Sequence, residues 1–274
     1  MNSASAVGML DFAKMADHFD RLLPLLVPVS DAQFAHLPEL ASGAHVLDLA
    51  CGTGEPGLSL SRRYPGVSLL GIDATVGMID VARRKATRDS LVNVRFDVMS
   101  MENLALAADS QDAVISRFGF LQFVDDATVA TVREMARVLR PGGHYNVALW
   151  ERLSSNLVGH TVSLVLRDRL PAEVLQVFTR IDAVAAGHRE ALLDDAGIRS
   201  VNSEMFSWDY RFPGFASIWD IVTGPAAFQQ MFALLSEEHR QDARRHMEEL
   251  LSRYRGHDGS YILPHACRLI WGHR

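Results

Sequence analysis

From Ala44 to Gly57 the chain reads Ala-His-Val-Leu-Asp-Leu-Ala-Cys-Gly-Thr-Gly-Glu-Pro-Gly. An apolar stretch of strand length, Ala44 to Ala50, stops abruptly at a glycine loop. The next segment, Pro56 to Tyr64, suits a helix, with Pro56 fitted to its first turn. Strand, glycine loop and helix in that order is the most restrictive feature of the sequence. The glycines let a ligand approach the backbone, and the helix start favours an anion. Gly52, Gly54 and Gly57 also satisfy G-x-G-x-x-G, the dinucleotide spacing.

The alternation continues. Val67 to Asp73 is a second strand, ending on an acid. Gly77 to Arg88 is a helix with Met78, Ile79 and Ala82 on one face. Val94 to Met99 and Asp112 to Phe118 are further strands, and Asp126 to Leu139 is a helix. Arg140-Pro141-Gly142-Gly143 reads as a stop and turn before a fifth strand, His144 to Trp150. Such alternation predicts a parallel sheet with helices on both faces and ligands at the carboxyl edge. After Trp150 the pattern changes. Leu157 to Gly187 is largely helical, and Arg189 to Ala196 is a helix ended by Gly197. Ser203 to Phe212 and Tyr261 to His273 are late strands, with an amphipathic helical region, Phe215 to Arg255, between them. Gly256-His257-Asp258-Gly259 reads as a hairpin-like turn, not a metal site. Ahead of the first strand, Phe12, Met15, Phe19 and Leu22 share one helical face, suited to a flap over the strand edge.

A chain of 274 residues, 48% hydrophobic, fits one large domain or one domain with a cap. A net charge of -6 without a basic run disfavours nucleic acid. Cys51 and Cys267 lie far apart, which argues against a disulfide framework and a zinc site and suits a reducing cytoplasm. The greasiest early segment, Leu22 to Val29, is broken by Pro24 and Pro28. No signal peptide or membrane-spanning helix is expected.

Two acids argue against a dinucleotide. Asp48 ends the first strand and Glu55 opens the helix, where a diphosphate would lie. Two like charges about 4 Å apart cost on the order of 4 kcal/mol at an effective dielectric near 20. Asp73 stands where an acid commonly binds ribose hydroxyls. The set therefore describes an adenosine joined to a cationic group, and S-adenosylmethionine fits.

At these residues the chain resembles the class I S-adenosylmethionine-dependent methyltransferases, particularly the ubiquinone/menaquinone-methyltransferase-like group that acts on small molecules. The matching motifs are Val46 to Gly54, Leu70-Gly71-Ile72-Asp73, Asp112 to Ser116, and Arg137 to Gly143, in the family's order over roughly residues 40 to 150. The resemblance implies an α/β, Rossmann-like seven-stranded sheet, six strands parallel and one antiparallel, with helices on both faces and a helical substrate cap. It divides the chain into a helical lid (residues 1–40), a donor-binding core (41–152), and cap insertions with the last two strands (153–274). Asp48, Ala50 and Gly52 would hold the methionine portion, and Gly54 would admit the sugar. Asp73 would take both ribose hydroxyls, Ala74 and Met78 would pack on the adenine, and Ser116 would offer its carbonyl to the ammonium. The family commonly has an acid after the third strand at the adenine amino group. Here Ser100 stands there, followed by Met101, and serine accepts less strongly than a carboxylate.

On the acceptor side, Arg117 to Phe123 follows the fourth strand at the ligand edge. Phe118 and Phe120 either line an apolar pocket or pack in the core. Arg117 either binds a substrate anion or is a solvated or helix-capping charge. Trp150, Phe12 and Phe19 are further candidates for substrate contact. His18 and His160 are the candidate bases, with a structural role the commoner fate of a lone helical histidine. His144, at the start of its strand, belongs to the opposite edge. These readings imply a cytoplasmic enzyme of secondary metabolism that methylates a small apolar or aromatic acceptor. It needs no metal, nucleic acid or integral membrane association, and a homo-oligomer stays open. A quinone or lipid precursor is the alternative acceptor. An NAD-dependent oxidoreductase, which lacks a Tyr-x-x-x-Lys spacing here, and a non-catalytic S-adenosylmethionine-binding protein are more distant.

Overall fold

The computed structural model describes residues 16, 19–185, 187–224 and 228–274, apart from the side chains of Val177 and Ser200. The elements are α1 (Leu23–Ala35), β1 (His45–Leu49), α2 (Gly57–Arg63), β2 (Ser68–Asp73), α3 (Val76–Arg88), β3 (Val94–Val98), β4 (Gln111–Arg117), α4 (Asp126–Val138) and β5 (Leu139–Leu149). They continue as α5 (Leu157–Leu166), α6 (Ala172–Asp182), α7 (His188–Asp195), β6 (Arg199–Phe212), α8 (Phe215–Thr223), α9 (Gln229–Ala233), α10 (Glu237–Leu251) and β7 (Tyr261–His273).

All seven strands form one sheet in the order β3-β2-β1-β4-β5-β7-β6, six parallel and one antiparallel. Neighbours from β3 to β5 are parallel, and β7 runs antiparallel to β5. The order reverses between β1 and β4, which brings the loops after those two strands together at the carboxyl edge. That is where open α/β sheets take ligands.

Chain contacts divide the molecule into two compact units. The first comprises Leu26–Leu149, Val184–Phe206 and Arg268–Arg274. Its two apolar layers follow the period of two in the strands. Leu47, Val114 and Val147 face Met135, Leu193 and Ile198 on one side. Val46, Ala113 and Ile115 face Phe34, Leu58, Ile79 and Ala82 on the other. The second unit holds Trp150–Ala183, Ser207–Cys267 and the described residues up to Leu25. Its core gathers Val162, Leu166, Phe212, Ile218, Phe232, Met247 and Leu263.

Two sequence expectations need correction. Arg140-Pro141-Gly142-Gly143 does not separate helix from strand, because β5 already begins at Leu139. Leu139 pairs with Gln111 and His144 with Ala113, so the segment bulges outward within β5. Gly142 has φ +77° there, and Gly142 and Gly143 exchange backbone hydrogen bonds with Arg274. The turn chemistry is real, but pairing with both neighbours keeps it inside the sheet. Nor do the prolines break Leu22 to Val29: α1 runs through them. Pro24 occupies the first turn, where a missing N–H costs nothing, and Pro28 removes one bond from a helix held by its buried Leu26, Val29 and Phe34.

Gly71 on β2 shows how closely this sheet is packed. A Cβ there would stand 2.5 Å from the Phe96 ring and 3.0 Å from Cys51 Sγ. Gly71→Ala is expected to lower unfolding stability in a urea titration by about 1–3 kcal/mol, the usual cost of overpacking. The double variant with Phe96→Leu is expected to regain part of it.

Candidate active site

The loop after β1 is bent by three residues in the left-handed region, Ala50 and Gly52 (both φ +53°) and Gly54 (φ +98°). Asp73, at the end of β2, ties it down. One carboxylate oxygen accepts the Gly52 N–H at 3.1 Å and the other the Thr75 N–H at 2.9 Å. A carboxylate offers about four acceptor sites, so capacity for hydroxyl donors remains.

Asp48 follows Val46 onto the face covered by α2. Its Oδ2 accepts the Gly57 N–H at 3.0 Å, and its Oδ1 has no partner. A Cβ on Gly57 would lie 2.8 Å from that Oδ2, so the third glycine of the motif is what lets the acid reach the helix start. Burial pushes the Asp48 carboxyl up to about 8, against the pull of the Arg117 guanidinium and the Gly57 N–H. Glu55 ends differently from expectation. It accepts the Ser59 N–H at 3.1 Å and pairs with Arg62 at 3.2 Å, so helix and arginine already compensate its charge. Of the two acids, Asp48 is the one left with an unpartnered carboxyl oxygen.

The loop after β4 is wedged against the first. A Cβ on Gly119 would lie 2.5 Å from Ala50 Cβ and 3.1 Å from the Leu49 carbonyl oxygen. Phe118 (φ +59°) and Leu121 (φ +62°) hold left-handed conformations, which cost of order 1–3 kcal/mol each and persist only where neighbours impose them. Arg189 of α7 is 3% exposed and supplies such a hold, donating to the Leu121 carbonyl at 2.7 Å and the Gln122 carbonyl at 3.2 Å. Ser116 is buried, with its hydroxyl donating to the Leu49 carbonyl at 2.8 Å.

Asp48, Ala50, Gly52, Gly54, Asp73, Ser116, Arg117 and Phe118 all belong to the first unit, in the adjacent loops after β1, β2 and β4 or on the strands that end in them. Several of the predicted residues already have partners or a defined burial within the protein. The Ser116 carbonyl, assigned to a ligand ammonium, accepts Gln33 Nε2 at 2.9 Å. Arg117 is neither solvated nor a helix cap. It is 9% exposed, and burial pulls its guanidinium down to about 10. Phe120 packs in the apolar layer, whereas Phe118 is half-buried. Met78 is buried on α3, and Ala74 is exposed. Ser100 is exposed and its hydroxyl accepts the Glu102 N–H; Met101 packs against the apolar layer. Phe19, Trp150 and His160 lie in the second unit, where Trp150 stacks on Trp208 at 6.2 Å. There His160 lines a cavity of about 630 Å³ with Trp208 and Tyr254. Phe12 and His18 lie outside the described residues. Gln33, Asn146 and Arg189 escaped the sequence reading. The one available signal was a lone glutamine on the apolar face of α1, one turn after Ser30.

Among the described residues no group of His, Cys, Asp and Glu is placed to hold a metal ion, and no helix is long and apolar enough to cross a membrane. The motif region matches a family model described as a methyltransferase domain, over residues 46–143. The chain is 34% identical to a demethylmenaquinone methyltransferase of Deinococcus radiodurans, over 77% of this chain and 86% of that one. Its fold is similar to the crystal structure of the YcgJ protein from Bacillus subtilis, with TM-score 0.57 and 21% identity, covering 90% of this chain and 99% of that one. It is also similar in fold to geranyl diphosphate C-methyltransferase from Streptomyces coelicolor, solved with Mg²⁺, geranyl diphosphate and S-adenosyl-L-homocysteine. That match has TM-score 0.55 and 15% identity, covering 92% of this chain and 80% of that one.

The raised Asp48 carboxyl makes a signed prediction. The fold favours its neutral form, so this contribution to stability is complete below about pH 4 and is lost as pH rises towards 8. Asp48→Asn keeps the shape without the charge. Urea midpoints of the variant relative to the natural protein are expected to rise between pH 4 and 8 and then level off. Parallel profiles would overturn the assignment.

Proposed function

We propose that this chain, which belongs to the class I S-adenosylmethionine-dependent methyltransferases of the quinone-methyltransferase-like type, methylates a small apolar or aromatic metabolite of secondary metabolism. Membership sets aside the nicotinamide oxidoreductase and the non-catalytic binding protein. The reading of the acceptor is carried by the loop after β4, which presents the half-buried Phe118 in a left-handed conformation, while Arg189 ties down Leu121 and Gln122 further along the same loop. The negative net charge and two lone cysteines support a cytoplasmic enzyme acting on a small molecule and not on nucleic acid.

The residues present fit the donor. Gly52 and Gly54 turn the loop through left-handed backbone, Asp73 retains acceptor capacity for ribose hydroxyls, and Asp48 offers a buried acid with an unpartnered oxygen. When bound, S-adenosylmethionine supplies an activated methyl group on a sulfonium. The protein's own work is then to orient and to exclude water, and positioning can contribute about 7–11 kcal/mol in favourable intramolecular cases. An acceptor that is already nucleophilic needs little more. A phenol or carbon acid also needs a base, typically worth about 10²–10⁴-fold.

A quinone precursor is the second reading. It is favoured by the demethylmenaquinone methyltransferase of Deinococcus radiodurans, which the chain matches over most of its length.

Calorimetry is expected to show binding of S-adenosylmethionine and none of NAD. Asp73→Ala is expected to weaken the former by at least about 1 kcal/mol, the scale of a lost charged hydrogen bond. Incubation with a panel of phenols, polyketide-like aromatics and demethylated quinols is expected to yield S-adenosylhomocysteine with the first two. Turnover confined to the quinols would move the assignment to the second reading.

A further inference from the structure

We propose that Arg117 is a positioning residue for the methyl donor, fastening α1 to the glycine loop so that this helix forms part of the donor site. The inference rests on the methyltransferase reading of that loop.

Arg117 closes β4 on the face shared by Ala113 and Ile115, the face against which Phe34 and Leu37 pack. Its buried guanidinium bridges two segments distant in sequence. Nη1 donates to Ser30 Oγ at 2.6 Å and to the Leu26 carbonyl at 3.3 Å, both on α1. Nη2 donates to the carbonyl of Glu55, inside the glycine loop, at 3.2 Å. One turn further along α1, Gln33 adds a second tie. Its Nε2 donates to the carbonyls of Ser116 (2.9 Å) and Asn146 (3.4 Å), and Asn146 Nδ2 donates back to the Gln33 carbonyl at 3.1 Å. Gln33 and Asn146 are fully buried.

An apolar helix does not need a buried cation to stay on an apolar layer. Burying a guanidinium carries a desolvation penalty, and replacement by apolar residues is often neutral or stabilising. What the cation adds is direction. It fixes the Glu55 carbonyl, and with it the curvature of the loop between Gly54 and Gly57, relative to α1. The loop and the helix therefore respond together to whatever the loop binds.

The test measures S-adenosylhomocysteine affinity by calorimetry and backbone hydrogen exchange with and without that ligand. The natural protein is compared with Arg117→Met, Arg117→Lys and Ser30→Ala. In the natural protein the ligand is expected to slow exchange both at residues 50–57 and at residues 26–35. Arg117→Met is expected to weaken binding at least about tenfold, as for a lost charged hydrogen bond, and to abolish the response of residues 26–35. Arg117→Lys is expected to recover part of both, which a purely structural role would not require. Ser30→Ala leaves the guanidinium in place and folds independently of the fate of Arg117→Met. It is expected to weaken binding by about two- to fivefold, on the scale of one hydrogen bond. Unchanged affinity in folded Arg117→Met and Ser30→Ala, or an undiminished response of α1 in either, would overturn the proposal. No binding by the natural protein would overturn the donor reading itself.

Discussion

The carboxyl of Asp48 accepting the Gly57 N–H is the contact around which the carboxyl edge of the sheet is arranged. It needs an acid at the end of an apolar strand, a glycine at the start of the next helix, and a loop able to turn through left-handed backbone between them. Each requirement excludes most residues at its position. The acid stands in for a capping residue on α2, whose own N-cap, Pro56, makes no side-chain hydrogen bond. The end of the strand and the start of the helix are thereby joined by one interaction that spans the loop.

That fixed loop becomes a reference surface for the other. Gly119 stands so close to Ala50 that a side chain on it would collide with Ala50 Cβ, and Phe118 and Leu121 accept unfavourable backbone angles beside it. The compensation comes from long side chains reaching across the fold: Arg189 from α7, Arg117 and Gln33 between α1 and the strand ends. The strand order alone would bring the loops near each other. These polar ties decide where the loops stop.

Much of the fold was legible because its signals are local. Apolar runs ending in glycine, an acid closing β2 and a period-3.6 face on α3 all act within a few residues, and β7 matches the expected Tyr261 to His273. The departures occur where a partner far along the chain overrides local preference. Arg140 to Gly143 has every feature of a turn, yet its neighbours on both sides draw it into β5. Pro24 and Pro28 look like breakers, but burial of the surrounding leucines keeps α1 intact. Arg117 was legible only as a substrate-anion binder or a solvated or capping charge, because nothing nearby in sequence reveals Ser30 or Leu26 as its partners. The site was legible as a set of backbone-shaping residues, and less so as a network of side chains.

The two loop acids show why composition is a poor guide to the field inside a site. Both carry the same formal charge in sequence, seven residues apart. Glu55 finds Arg62 and a free helix N–H, so its charge is compensated before any ligand arrives. Asp48 is sealed from water beside Arg117, and burial holds its proton to about pH 8. A cationic ligand on the loop favours the ionised acid, so binding and deprotonation reinforce each other. A diphosphate would favour the neutral form, whose O–H can donate at most one hydrogen bond to it. A buried acid whose charge depends on what lies beside it responds to a ligand in a way that a fixed surface carboxylate does not.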